Sequence, residues 1–104
     1  MSQFPFEEHR IDENTFVRRF DKGVDASEMI WHRDRRNRVV HVLESSGWFF
    51  QRDDEIPVLM SPGSSFLIPA KTWHRAIRRP NSGDLVIRIT EFDGLPEDKI
   101  RQER

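Results

Sequence analysis

The 104-residue chain contains no cysteine. That absence excludes a disulfide framework, a thiolate nucleophile and every zinc or iron–sulfur site built on sulfur ligands, leaving His, Asp and Glu as the side chains able to hold a metal ion. A charge imbalance is lacking as well: 17 basic residues face 18 acidic ones, for a net charge of −1. With no field of one sign to draw in nucleic acid or an anionic membrane, neither is expected as a partner. No apolar run approaches the roughly 20 residues of a membrane-spanning helix. The N-terminal MSQFPFEEHR is mixed and acidic, unlike a secretory signal, so a cytoplasmic location is expected. There is no phosphate-binding glycine loop, nucleophile motif, low-complexity stretch, internal repeat or linker. A second core would need roughly 50 or more further residues, so 1–104 is read as one domain.

What the chain does have is aromatic bulk, eight Phe and three Trp, in a sequence that is 34% charged. This combination describes a compact domain with a heavily charged surface. Apolar residues recur with period two in short runs separated by turn residues, the pattern of an all-β sandwich or barrel. The runs fall at 16–20, 28–32, 38–43, 47–51, 56–60, 65–68, 74–78 and 85–92. The fourth and fifth read as a hairpin around the polar tip 52–55. Eight antiparallel strands at a spacing of roughly ten residues are the count of a double-sheet jelly roll. Its core spans 16–92, and 93–104 forms a polar C-terminal tail. So small a domain gains stability from a second subunit, and a homodimer joined through an outer strand or sheet face is expected.

His32 and Asp34 stand two apart at the end of an apolar run, so an extended backbone sends both side chains to the same face. His74 follows the rigid turn Pro-Ala-Lys-Thr-Trp at 69–73. Two imidazoles and one carboxylate on one face suit octahedral Fe(II) with positions left open, and the same set suits Mn, Ni or Zn. A second reading gives Asp34 to Arg38, four residues later on the same phase, as an ion pair inside a metal-free pocket. A cationic Arg38 beside the site also opposes a divalent ion by several kcal/mol on a Coulomb estimate. Arg38 shares the phase of Val40 and Val42 and is our first choice for contact with a small anionic ligand. Trp48 and Phe50 share another phase, and we assign them to the wall of the ligand pocket. His41 falls on the outward phase and His9 in an irregular N-terminal segment, so neither joins the site.

The segment Gly63-Ser-Ser-Phe-Leu-Ile-Pro69-Ala-Lys71-Thr-Trp-His74 resembles the second sequence motif of the cupins, with Lys71 where glycine is usual. His32-Arg-Asp34-Arg-Arg-Asn-Arg38-Val-Val-His-Val-Leu-Glu-Ser45 lies along the first motif without gaps. Asp34 replaces the second histidine there, and Arg38 replaces the glutamate. The likeness covers roughly 28–92 and is closest to the small stand-alone cupins of bacteria and their viruses. It implies a double-stranded β-helix with one pocket, and it carries over His32 and His74 as metal ligands, Asp34 by substitution and Arg38 not at all. The His-x-Asp pair with a distal His is also similar to the iron triad of the 2-oxoglutarate oxygenases. There a basic residue on a late strand holds the cosubstrate carboxylate, a role to which Arg88, near Thr90, would correspond. Two functions follow from the resemblance. One is a metal-dependent oxygenase or isomerase in which Arg38 and Arg88 contact an anionic small molecule. The other is a non-catalytic binding or scaffold cupin with an Asp34–Arg38 ion pair.

Overall fold

The computed structural model describes residues 6–22 and 29–94. Among them run eight strands: β1 (Glu7–Arg10), β2 (Thr15–Phe20), β3 (Asn37–Glu44), β4 (Trp48–Arg52), β5 (Val58–Leu59), β6 (Ser65–Ile68), β7 (His74–Arg78) and β8 (Leu85–Phe92). They form a five-stranded sheet in the order β1-β2-β8-β3-β6 and a three-stranded sheet in the order β5-β4-β7. Every pairing is antiparallel. This is the two-sheet jelly roll that the period-two pattern predicts. None of the described residues forms a helix long and apolar enough to cross a membrane.

Alternation along the strands decides what the sheets bury. Phe16 and Phe20 of β2, Val40 and Val42 of β3, and Ile87 and Ile89 of β8 point inward from the larger sheet. Trp48 and Phe50 of β4 and Ala76 of β7 meet them from the smaller one, with Met60 and Ile68 completing one core. Burying each of the larger side chains contributes roughly 1.5–3 kcal/mol. Trp48 is fully buried, and its indole Nε1 donates to the Gly83 carbonyl at 2.8 Å, so its one polar atom costs nothing in the interior.

The predicted and observed strands part in two places, each for a visible reason. The run at 28–32 does not form a ladder strand: Glu28 lies outside the described residues, and of the rest only His32 pairs, through an isolated bridge to His74. Conversely, β1 occupies a segment read as irregular and carries His9. Its sequence, Glu-Glu-His-Arg, is exposed throughout and has no apolar alternation to reveal it. The hairpin at 47–60 forms, but β5 shrinks to two residues after Pro57, which has no N–H to give a ladder. Of the tail 93–104, residues 95–104 lie outside the described residues.

The connection from β3 to β4 turns at Gly47, whose φ is 77°. A Cβ there would sit 3.2 Å from the Ser82 Cα, on the loop held by hydrogen bonds from Arg79 N to Gly47 O and from Gly83 N to Ser46 O, both 2.9 Å. Gly47→Ala is therefore expected to destabilise the protein by about 1–3 kcal/mol through strain and contact combined. Urea unfolding checks this, and a change below about 0.5 kcal/mol, the level of an ordinary surface substitution, contradicts it.

Candidate metal centre

His74 opens β7 directly after the turn that starts at Pro69. That turn requires Lys71 to adopt φ 64°, the left-handed region in which glycine is at ease. Lys71 N donates to the Asp34 carbonyl at 2.8 Å, tying the turn to the chain that brings the other two site residues. His32 and His74 face each other across the bridge through two backbone hydrogen bonds, His32 N to His74 O at 3.0 Å and His74 N to His32 O at 2.9 Å. Their rings lie on the same side, centroids 4.3 Å apart and inclined at 61°. Asp34, two residues past His32, returns to that face. One ligand atom from each of the three residues lies within 4.8 Å of the others, so the structure brings together the three that the sequence singled out.

The proton positions on the two rings are fixed by their neighbours. His32 Nδ1 lies 2.8 Å from the Ile30 carbonyl and His74 Nδ1 lies 2.8 Å from the Thr72 carbonyl. A carbonyl oxygen only accepts, so each Nδ1 carries a proton and donates it, and Nε2 is the ring nitrogen left to face the site. His74 Nε2 is 3.3 Å from Asp34 Oδ2, a buried oxygen with no hydrogen-bond partner among the described residues. This contact is favourable only with a cation between the two atoms, either a proton on Nε2 or a metal ion. The other oxygen, Asp34 Oδ1, lies 3.4 Å from Arg38 Nη1. Burial by itself pushes the Asp34 carboxyl upward and is the largest single influence. The His74 contact and the charges of Arg38, His74 and His32 together outweigh it and hold the group below its ordinary value.

Arg38 is engaged on its far side by a residue that the sequence did not suggest. Glu91 is its direct cross-strand partner on β8, and Glu91 Oε2 accepts from Arg38 Nε at 3.0 Å and Nη2 at 2.9 Å. The guanidinium is thus shared between two carboxylates. His32 and His74 line a cavity of about 50 Å³ whose wall also includes Arg38, Trp48 and Phe50. Phe50 also packs on His74, with ring centroids 5.8 Å apart. Arg88 is the exception and a correction. It is exposed, on the opposite phase of β8 from Ile87 and Ile89, so strand alternation places it on the outer face, away from the cavity. His41 points outward and bonds the Ser65 hydroxyl, and His9 is exposed on β1.

A sequence signal that went unread becomes plain in three dimensions. The tripeptide Trp-His-Arg occurs twice, at 31–33 and 73–75. The bridge sets the two copies antiparallel around the facing histidines. On the face away from the cavity Arg75 lies over Trp31, 4.6 Å from its centroid, and Arg33 lies over Trp73 at 5.0 Å. The result is a local two-fold arrangement with imidazoles on one side and crossed cation–π pairs on the other. It explains how a bridge of only two hydrogen bonds holds its register.

Neither a protein-family model nor a curated protein sequence matches the chain. Solved structures do. A cupin-like protein from Thermotoga maritima superposes with a TM-score of 0.59 at 20% identity, over 93% of this chain and 81% of its own. A cupin domain from Bordetella pertussis gives 0.57 at 17%, over 88% and 98%. HppE in its iron(II) form gives 0.59 at 12%, over 75% of this chain and 41% of its own. The chain has the fold of the small cupins.

Two expectations follow from the site itself. The Trp31–Arg75 pair is expected to show a coupling energy of about 0.5–1 kcal/mol in a double-mutant cycle with alanine, read by urea unfolding, whereas strict additivity would show that the stack contributes nothing. For metal-free protein, the depressed Asp34 carboxyl contributes stability that is fully present above its ordinary value of 3.8 and is lost as pH falls through its lower folded value. Asp34→Asn should therefore flatten the loss of stability below about pH 4, and an acid limb of unchanged steepness would contradict the assignment.

Proposed function

We propose that His32 Nε2, His74 Nε2 and Asp34 Oδ2 hold a divalent metal ion, and that the protein is a metal-dependent cupin enzyme acting on a small molecule. The observation that carries this reading is the buried Asp34 Oδ2, which accepts no hydrogen bond among the described residues and has His74 Nε2 3.3 Å away. Donors of this kind, two neutral nitrogens and one carboxylate oxygen, fit Fe(II), Mn(II), Ni(II) or Zn(II) with coordination positions to spare. The likeness to a protein solved in an iron(II) form is consistent with such an ion. When bound, the ion would supply a Lewis acid and, if it is iron, a redox centre.

The chain's own residues prepare the site for it. The Ile30 and Thr72 carbonyls keep the Nδ1 protons in place, so both rings offer Nε2 without rearrangement. Arg38 occupies Asp34 Oδ1 and leaves Oδ2 for the ion. Glu91 grips the same guanidinium from the far side and balances its charge, which removes most of the repulsion that a cation would otherwise feel. The apolar wall formed by Phe50, Met60 and Ile68 excludes water and strengthens every electrostatic contact at the cavity mouth.

Elemental analysis of untagged protein tests the reading directly. Near-stoichiometric metal is expected in the native protein and none in the His32→Ala/His74→Ala double variant. Metal at a free concentration of 100 times its Kd should also raise the unfolding free energy by about 2.7 kcal/mol. Affinity should weaken as pH falls, because protons compete with the ion for the ligand atoms. No metal after anaerobic reconstitution would overturn the reading and leave the Asp34–Arg38 ion pair of a metal-free binding cupin.

A further inference from the structure

We infer that the substrate is a short aliphatic monoanion: a chelating, singly charged head on the metal and a tail of about two carbons held between the sheets. This rests on the metal reading above and adds to it the chemistry of what enters.

The tail follows from the wall and its volume. Beneath the histidines the cavity is lined by Val40, Phe50, Met60, Ile68 and Ala76, with Ile87 and Ile89 behind them, so nothing at that depth rewards a hydroxyl, an amine or a second charge. Its volume is about 50 Å³. A dry cavity of about 150 Å³ takes a benzene ring, so a third of that space takes about two carbon atoms. Ala76 makes the room. It lies opposite Phe50 in the β4–β7 register and is the next inward-facing residue after His74 along β7. Any larger side chain there would project into the space directly below the site.

The head follows from a count of charge. Arg18 and Arg75 also line the cavity; the charge of Arg18 is met by Glu8 at 2.8 Å, and the Arg75 guanidinium lies over Trp31 and donates to Gln51, on the outer face. Arg38 is met by Glu91 at 2.9 Å. That leaves a divalent ion and Asp34, a sum of +1 at a site walled by apolar groups. One negative charge on the ligand brings the sum to zero. A dianion overshoots, and a cationic ligand adds to an uncompensated charge. A carboxylate, hydroxamate or enolate bearing a second oxygen can both neutralise the site and occupy two open metal positions.

Titrating Co(II)-loaded protein with aceto-, propiono-, butyro- and hexanohydroxamate, followed by the visible Co(II) spectrum, tests this. Affinity should rise about four-fold per added CH2 until the cavity is full. The optimum should fall at the propiono or butyro compound, with the hexano compound at least about ten-fold weaker than the best. Ala76→Val should lose the gain from the longer tails, while Met60→Ala should shift the optimum toward the hexano compound. Equal affinities along the series, or a chain-length optimum untouched by Ala76→Val, would overturn the substrate assignment and leave the metal centre standing. Failure to take up Co(II) at all would overturn both.

Discussion

Two backbone hydrogen bonds between His32 and His74 hold the functional end of this molecule together. They belong to no continuous ladder: residues 29–31 lie in no strand, and β7 begins only at His74. Yet this bridge sets the spacing of two imidazoles, and through them the place of Asp34. An isolated pair of hydrogen bonds contributes little by itself, about 0.5–1.5 kcal/mol each. Its neighbours reinforce it. The repeated Trp-His-Arg tripeptide places an arginine over a tryptophan on either side of the bridge, and the Lys71 amide fastens the β6–β7 turn to Asp34. The cavity face and the outer face of this pairing have separate tasks, and alternation along an extended chain keeps them apart.

Electrostatics make the same site intelligible where it departs from the cupin pattern. An arginine at a position that cupins give to a ligand looks at first like a barrier to any metal. The β3–β8 pairing removes the barrier by placing Glu91 directly across from Arg38. Arg36 continues the alternation, 3.6 Å from Glu91 and 2.9 Å from Asp93. Asp34, Arg38, Glu91, Arg36 and Asp93 therefore form a row of alternating charge that runs from the cavity mouth to the surface. Such a row fixes Asp34 Oδ1 and leaves Oδ2 buried, with His74 Nε2 3.3 Å away.

Much of this was legible in the residues alone. Period-two alternation disclosed the strands at 38–43, 65–68, 74–78 and 85–92 because each has one buried and one exposed face. His32, Asp34 and His74 stood out because their spacing and the turn at Pro69 direct side chains to one face. Three features stayed hidden for physical reasons. β1 has no buried face, so no apolar pattern marks it. Glu91 depends on the register of two strands far apart in sequence, which local pattern does not encode. Only analogy places Arg88 in the pocket, whereas the phase of Ile87 and Ile89 directs it outward. The repeated Trp-His-Arg was in plain view, but its meaning depends on the antiparallel pairing that brings the two copies together.

The account turns on where the protons sit on His32 and His74. Long-range 15N–1H correlation of the imidazole nitrogens in metal-free protein at neutral pH, before and after one equivalent of Zn(II), observes this directly. Both rings should carry a proton on Nδ1, and both Nε2 resonances should move on addition of zinc while the Nδ1 protons remain. Nδ1 atoms without protons, or Nε2 resonances indifferent to zinc, would contradict it, and the three residues would be an ion-paired cluster with no place for a metal.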